Sequence, residues 1–167
     1  LVQAFSDIKD EIDPKINLIL VGNGTCFNNI QKQVKQLSLE NRVEFREKIT
    51  DCALLAKEYE KAIVSISLGQ AGLSVLQSFG FGAPFLTKEN AISGGEIANI
   101  RNGYNGVLCK DDFSDLKEKL ILLCRDITLA RKMGENAYEY YDTYCTIENM
   151  AQGFIDALEN SKEARVD

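Results

Sequence analysis

S-L-G-Q-A-G-L-S-V-L-Q-S-F-G-F-G-A-P, residues 67–84, is the stretch on which the fold turns. An apolar run at 62–66 leads into it and reads as a buried strand. Gly69 and Gly72 follow, three apart, then Ser74 and an apolar helix that Gly82-Ala83-Pro84 stops. A second apolar run begins at Phe85. Strand, glycine turn and helix start together form an anion-ready device, because free backbone N–H groups and the helix dipole face one spot. The plainer reading is a tight strand-to-helix connection that holds no ligand.

Outward from this stretch, strand and helix patterns alternate along the chain. Apolar residues at helical spacing predict a helix over 1–12, which Asp13-Pro14 ends. Buried strands are predicted at 16–21, 42–45, 62–67, 85–87 and 106–108. Helices are predicted at 27–39, 52–59, 73–81 and 95–101, with Thr50 or Asp51 capping the second. From Asp111 the pattern is helical, over 113–125, 127–141 and 147–159, before a polar tail at 161–167. The strands are continuous apolar runs rather than alternating ones, the mark of a parallel sheet covered on both faces. The fold class is therefore α/β, a Rossmann-like doubly wound sheet forming a single domain over 1–167, with its site at the carboxyl ends of the strands.

The totals narrow the function. The 167 residues suit one domain with a full core, and 45% apolar with 26% charged residues is ordinary for a globular protein. A net charge of −6 argues against nucleic acid as a partner. No apolar run approaches the roughly 18 to 20 residues of a membrane span, and no secretory signal is visible. The five cysteines are scattered and odd in number, which points to a reducing, cytoplasmic setting and to small core residues. With no histidine, a zinc site or a Ser–His or Cys–His nucleophile cannot be built from this chain. The chain begins without Met, as a fragment with an upstream start would.

Four clusters carry candidate chemistry. Gly22, Asn23 and Gly24 end the first strand, where glycines let a ligand approach backbone; this is not a dinucleotide fingerprint, because Phe27 stands where the third glycine belongs. In the loop after the second strand, Arg46 or Lys48 could face phosphate while the backbone frames a planar base. In the opening stretch, Gly72, Leu73 and Ser74 offer N–H groups to a diphosphate, and Gln77 lies one turn on, within reach of a sugar hydroxyl. Glu96, after Ser93-Gly94-Gly95, fits helix capping better than catalysis. The tyrosines 138, 140, 141 and 144 read as anchors for the late helices.

In this order the clusters resemble the C-terminal, donor-binding half of GT-B glycosyltransferases, in particular the large retaining family (group 1, family 4) that includes sucrose synthases and many polysaccharide-assembly enzymes. The matching segments are V-G-N-G (21–24), R-V-E-F-R-E (42–47), G-Q-A-G-L-S-V-L-Q (69–77), G-A-P-F (82–85) and G-G-E-I-A-N-I-R-N-G-Y-N-G (94–106). The resemblance implies a hexosyltransferase-type enzyme that moves sugar from a UDP- or GDP-sugar to a glycan or lipid-linked acceptor, in bacterial surface polysaccharide biosynthesis. It implies no cofactor and no metal at this domain, and peripheral membrane association of the full-length protein. Gly22, Asn23, Gly24, Arg46, Lys48, Gly69, Gln70, Gly72, Leu73, Ser74 and Gln77 would bind the donor; no catalytic residue is assigned. Gly69 and Gln77 stand where the family usually has glutamates, so the alternative is a non-catalytic nucleotide-sugar-binding module. The family also has a central strand before the first helix, whose loop carries an Arg and a Lys, and an acceptor-binding N-terminal domain. Neither is present in 1–167, so the fragment alone is expected to be inactive, and its sheet to lack the middle strand or borrow one.

Overall fold

A computed structural model describes residues 1–163. The elements run α1 (Val2–Ile8), β1 (Leu18–Val21), α2 (Phe27–Gln36), β2 (Val43–Arg46), α3 (Cys52–Tyr59), β3 (Ser65–Ile66), α4 (Ser74–Gly80), β4 (Phe85–Lys88), a 3-10 turn (Glu96–Asn99), β5 (Gly106–Cys109), α5 (Phe113–Arg125), α6 (Ile127–Tyr144) and α7 (Ile147–Glu163). Element types match the sequence pattern except at 95–101, where the predicted helix is a 3-10 turn, and the helix predicted over 1–12 stops at Ile8. The polar tail does not begin at 161, because α7 continues through Glu163; residues 164–167 lie outside the described part.

Among the described residues every strand pair is parallel, and the strands form two sheets rather than one. β1 pairs with β2, Leu18 opposite Val43 through Val21 opposite Arg46. β3, β4 and β5 form the second sheet in that order, with Ser65 opposite Phe85 and Phe85 opposite Gly106. The break falls between β1 and β3, where the resemblance places its central strand. The 62–67 run shortens to Ser65–Ile66 because only its β4 side has a partner.

Helices cover both faces, as a doubly wound sheet requires. On one face Phe5 and Ile8 of α1 and Leu116, Leu120 and Leu123 of α5 pack with Leu18, Val43, Leu86 and Val107. This cluster bridges the two sheets and holds them together. On the other face Val75 and Phe79 of α4 and Ala137 of α6 pack on Phe85. Successive residues Phe85 and Leu86 thus serve opposite layers, the period of two expected of a strand. Burying a Leu- or Phe-sized side chain stabilises by about 1.5–3 kcal/mol. Two glycines permit close approach in the second half: a Cβ on Gly134 would sit 2.2 Å from the Gly82 carbonyl oxygen, and one on Gly106 2.6 Å from that of Phe85.

Aspartates start three of the helices. The carboxylates of Asp51, Asp112 and Asp126 accept from the N–H groups of Leu54, Asp115 and Leu129 at 2.9, 3.2 and 2.8 Å. Tyr140 packs edge-on to Phe79, and Tyr141 lies against Gly80, so these tyrosines do anchor α6 on α4. The expectation that the cysteines are core residues holds for Cys109 and Cys124 and fails for Cys26 and Cys52, which are exposed at the starts of α2 and α3.

Candidate functional site at the carboxyl ends of the strands

The carboxyl ends of β1, β2 and β3 meet around the mouth of one cavity of about 780 Å³. Gly22 reaches the mouth from β1, Lys48 and Ile49 from the loop after β2, and Ser74 and Gln77 from the first turns of α4. Three turns far apart in sequence therefore converge, which the predicted topology required.

Each turn is fixed by its own hydrogen bonds. Gly22 has φ of +123°, a backbone state that disfavours any side chain, and its N–H donates to the Arg46 carbonyl at 2.9 Å, tying the ends of β1 and β2 together. The turn before α4 hangs from a polar ladder. Thr87 Oγ1 donates to the Ser67 carbonyl at 2.7 Å, Ser67 Oγ to the Gln70 carbonyl at 2.7 Å, and the Ala71 N–H to the Ile92 carbonyl at 2.8 Å. Ala71 is fully buried, while Gly69, Gln70 and Leu73 remain exposed. The Gly72 and Leu73 carbonyls accept from Val75 and Gln77, so the first turn points its own N–H groups, Gly72 to Ser74, outward with no intrahelical partner. Leu73 rather than Ser74 is the N-cap, and no side chain caps this helix. A Cβ on Gly72 would lie 3.7 Å from the Gln70 side chain, and one on Gly69 would meet nothing within 4 Å. The chain's own packing does not demand glycine at either place.

The charges divide unevenly. Arg46 Nη2 donates to Glu44 Oε2 at 2.5 Å, and its Nε lies 3.6 Å from Glu58. The Glu44 hydrogen bond raises the Arg46 pKa, and the Arg46 and Asn17 hydrogen bonds lower that of Glu44. Arg46 is thus engaged by two carboxylates and does not line the cavity; Lys48 does. Asn23, Gly24, Gly69, Gln70, Gly72 and Leu73 lie beside the mouth on the same turns without lining it. Glu96 behaves as a cap: it accepts from the Gly94 N–H at 2.9 Å and from Ser93 Oγ at 3.2 Å. Its pKa is lowered, first by its own backbone N–H and then by those two groups.

The sequence reading missed Leu55, Glu58 and Tyr59 of α3, which line the cavity. Their i, i+3, i+4 spacing marks a helical stripe, and that was the only signal available. Tyr59 stacks on Phe81, ring centroids 4.9 Å apart, and burial raises its pKa.

Comparison with known proteins settles the family. The model for "Glycosyl transferases group 1" matches residues 1–140. The chain belongs to the group 1 glycosyl transferases. It is 30% identical over 171 residues to the N-acetyl-alpha-D-glucosaminyl L-malate synthase of Bacillus anthracis, covering 99% of this chain and 44% of that one. It is 28% identical to the poly(glycerol-phosphate) alpha-glucosyltransferase of Bacillus subtilis, covering 99% and 24%. Among solved structures, TarM of S. aureus, captured with UDP, superposes with a TM-score of 0.80 at 20% identity, over 93% of this chain and 31% of that one. The likeness extends to the GT-B fold. The group 1 chain spans less than half the length of these relatives. No described helix is long and apolar enough to cross a membrane.

Proposed function

We propose that this chain is the donor-binding domain of a hexosyltransferase-type enzyme, which holds a UDP- or GDP-sugar by its diphosphate while the sugar passes to a glycan or lipid-linked acceptor. One observation carries this reading. Gly22, Lys48, Ser74 and Gln77, drawn from three separate turns, converge on one cavity mouth at the carboxyl ends of parallel strands. In the transfer the bond between the anomeric carbon and the diphosphate oxygen breaks, and its electron pair leaves with the diphosphate. The acceptor oxygen bonds to that carbon and gives up its proton. Outward N–H groups at 72–74 and the Lys48 ammonium suit the negative charge that builds on the departing diphosphate. Gln77 suits a ribose hydroxyl, and the backbone after β2 suits the base. The donor is the substrate, and the reading needs no further cofactor at this domain.

The same reading places the full-length protein in bacterial surface glycan assembly, on the cytoplasmic side and peripherally at the membrane; of the two Bacillus relatives, the poly(glycerol-phosphate) glucosyltransferase by its name supports a polymeric acceptor, whereas the other is named for L-malate, a small one. Residues 1–167 alone are proposed to be inactive. A second reading, a nucleotide-sugar-binding module without catalysis, draws support from Gly69 and Gln77, neither of which brings a carboxylate to the turn.

Titration of the isotope-labelled chain with UDP, GDP and NAD tests the proposal. A nucleoside diphosphate should shift the amides of Gly22, Lys48, Ser74 and Gln77 selectively, and NAD should not. Gly72→Ala places its Cβ in open space apart from the flexible Gln70 side chain. It should weaken UDP or GDP at least tenfold while moving stability by less than about 0.5 kcal/mol. Undiminished binding by this variant would sink the backbone diphosphate site.

A further inference from the structure

The loop of residues 47–50, between β2 and the cap of α3, brings Lys48 and Ile49 to the cavity mouth. Nothing inside the loop holds it there. Among the described residues, 47–50 make no hydrogen bond and no ion pair. The two ends of the loop therefore set its position. At one end the Arg46 carbonyl accepts from the Gly22 N–H at 2.9 Å, which fixes β2 to β1. At the other end the Asp51 carboxylate caps α3, so the loop moves with that helix.

α3 is a weak anchor by packing alone. None of its eight residues is buried, and a helix that buries no face is not oriented by a core. Two neighbouring side chains hold it instead. Tyr59 stacks on Phe81. Glu58 reaches back to β2, its Oε1 lying 3.6 Å from Arg46 Nε, while Arg46 Nη2 donates to Glu44 Oε2. A guanidinium carries five donors on one rigid plane, so it engages a carboxylate on the strand and another on the helix at once. The Glu58 side chain is only 24% exposed, so water screens this pair in part.

We propose that Arg46 is a positioning residue for donor binding: it stays off the donor, ties α3 to the end of β2 through Glu58, and so holds Lys48 and Ile49 at the mouth. The proposal rests on the donor-binding reading of that mouth. A cation already shared by two carboxylates offers little net charge to a diphosphate. Arg46 also does not line the cavity, whereas Lys48, two residues on, does. Leu55, Glu58 and Tyr59 line the cavity together, so the same link sets the wall behind Lys48.

The test compares Arg46→Met, Glu58→Gln and the double variant of the 167-residue chain, with UDP as the probe. Each single change should weaken UDP about threefold to fivefold, the size of one partly exposed ion pair. The double variant should bind no more weakly than Arg46→Met, because both changes break the same link. Additive losses would overturn the shared link. Glu58→Gln separates positioning from contact, and it is isosteric on a helix that buries nothing, so the fold should survive it. If Arg46 met the diphosphate itself, freeing it from a carboxylate would tighten UDP. Tighter or unchanged binding by Glu58→Gln therefore overturns the proposal.

A second readout needs no nucleotide. Amide order parameters at Lys48 and Ile49 should lie near the rigid value of about 0.85 in the parent and below about 0.6 in both single variants, with α4 unchanged. A purely structural role lowers stability and leaves these values where they were, which overturns the clamp. A parent chain that binds neither UDP nor GDP sinks the donor-binding reading, and with it the donor half of this proposal, while the order parameters still decide the clamp.

Discussion

Leu20 and Leu86 both sit in mid-strand on apolar runs of similar length, yet Leu86 is fully buried and Leu20 is partly open. The difference belongs to their sheets. β4 has a strand on each side and a helix layer on each face, and Phe85, Leu86 and Thr87 are all inaccessible to solvent. β1 has one neighbour and on its other side faces the cavity, which runs as a slot between it and residues 64–66. Stability therefore concentrates in the β3–β4–β5 half, and open backbone concentrates along β1. A binding site needs exposed N–H groups and an approachable surface, so both the slot and the candidate nucleotide site border the less finished half.

The largest effect should come from the packed half. Gly134→Ala drives its Cβ into the Gly82 carbonyl at 2.2 Å, where both partners are backbone and neither can swing aside. A loss of about 3 kcal/mol or more is expected in urea or thermal unfolding, at the upper end of overpacking costs. A loss below about 1 kcal/mol would mean that α6 and the turn before β4 slide easily and that this half is not the rigid one.

The next contrast sets the two leucines against each other. Leu86→Ala should cost about 2–5 kcal/mol, as fully buried leucines do. Leu20→Ala should cost less, about 1–2 kcal/mol, since part of its surface is exposed and only the rest packs on the core. Equal losses by denaturant titration would show that the slot is closed in solution and would break the comparison at its root.

The same asymmetry explains which features were legible in the sequence. Element order and type follow from apolar runs punctuated by Gly, Pro and Asp caps, all local signals. Gly22, Lys48, Ser74 and Gln77 were legible because turns at strand ends must meet in a parallel sheet. The length of β3 was not legible: the 62–67 run is apolar throughout, but a strand exists only where a neighbour accepts its hydrogen bonds, and that neighbour is a tertiary fact. The engagement of Arg46 was hidden for the same reason. Its partner Glu58 is twelve residues away, on a helix whose rotation no local pattern fixes. Cys26 and Cys52 look like core residues by type, yet both fall at helix starts on the solvent side, where burial ends.

The smallest effect concerns the polar pairs that hold the open half. Glu44 on β2 accepts from Arg46 and, at 3.0 Å, from Asn17 just before β1, so its carboxylate links the two strands from the surface. These hydrogen bonds favour the charged form, and the folded-state pKa of Glu44 lies below its unfolded value. A group of this sign stabilises fully above the unfolded pKa and loses its contribution as pH falls through the folded pKa. Glu44→Gln should therefore lower the melting temperature slightly at neutral pH, and the gap to the parent chain should narrow below about pH 4. Other exposed carboxylates with lowered pKa values, Asp7 and Asp111 among them, weaken both proteins alike, so the difference isolates Glu44. The effect should also be local. Amide shifts along β1 and β2 should follow the titration, and those of β4 should stay still. If β4 moves with the same midpoint, the two halves unfold as one unit and the slot between them does not separate their stabilities.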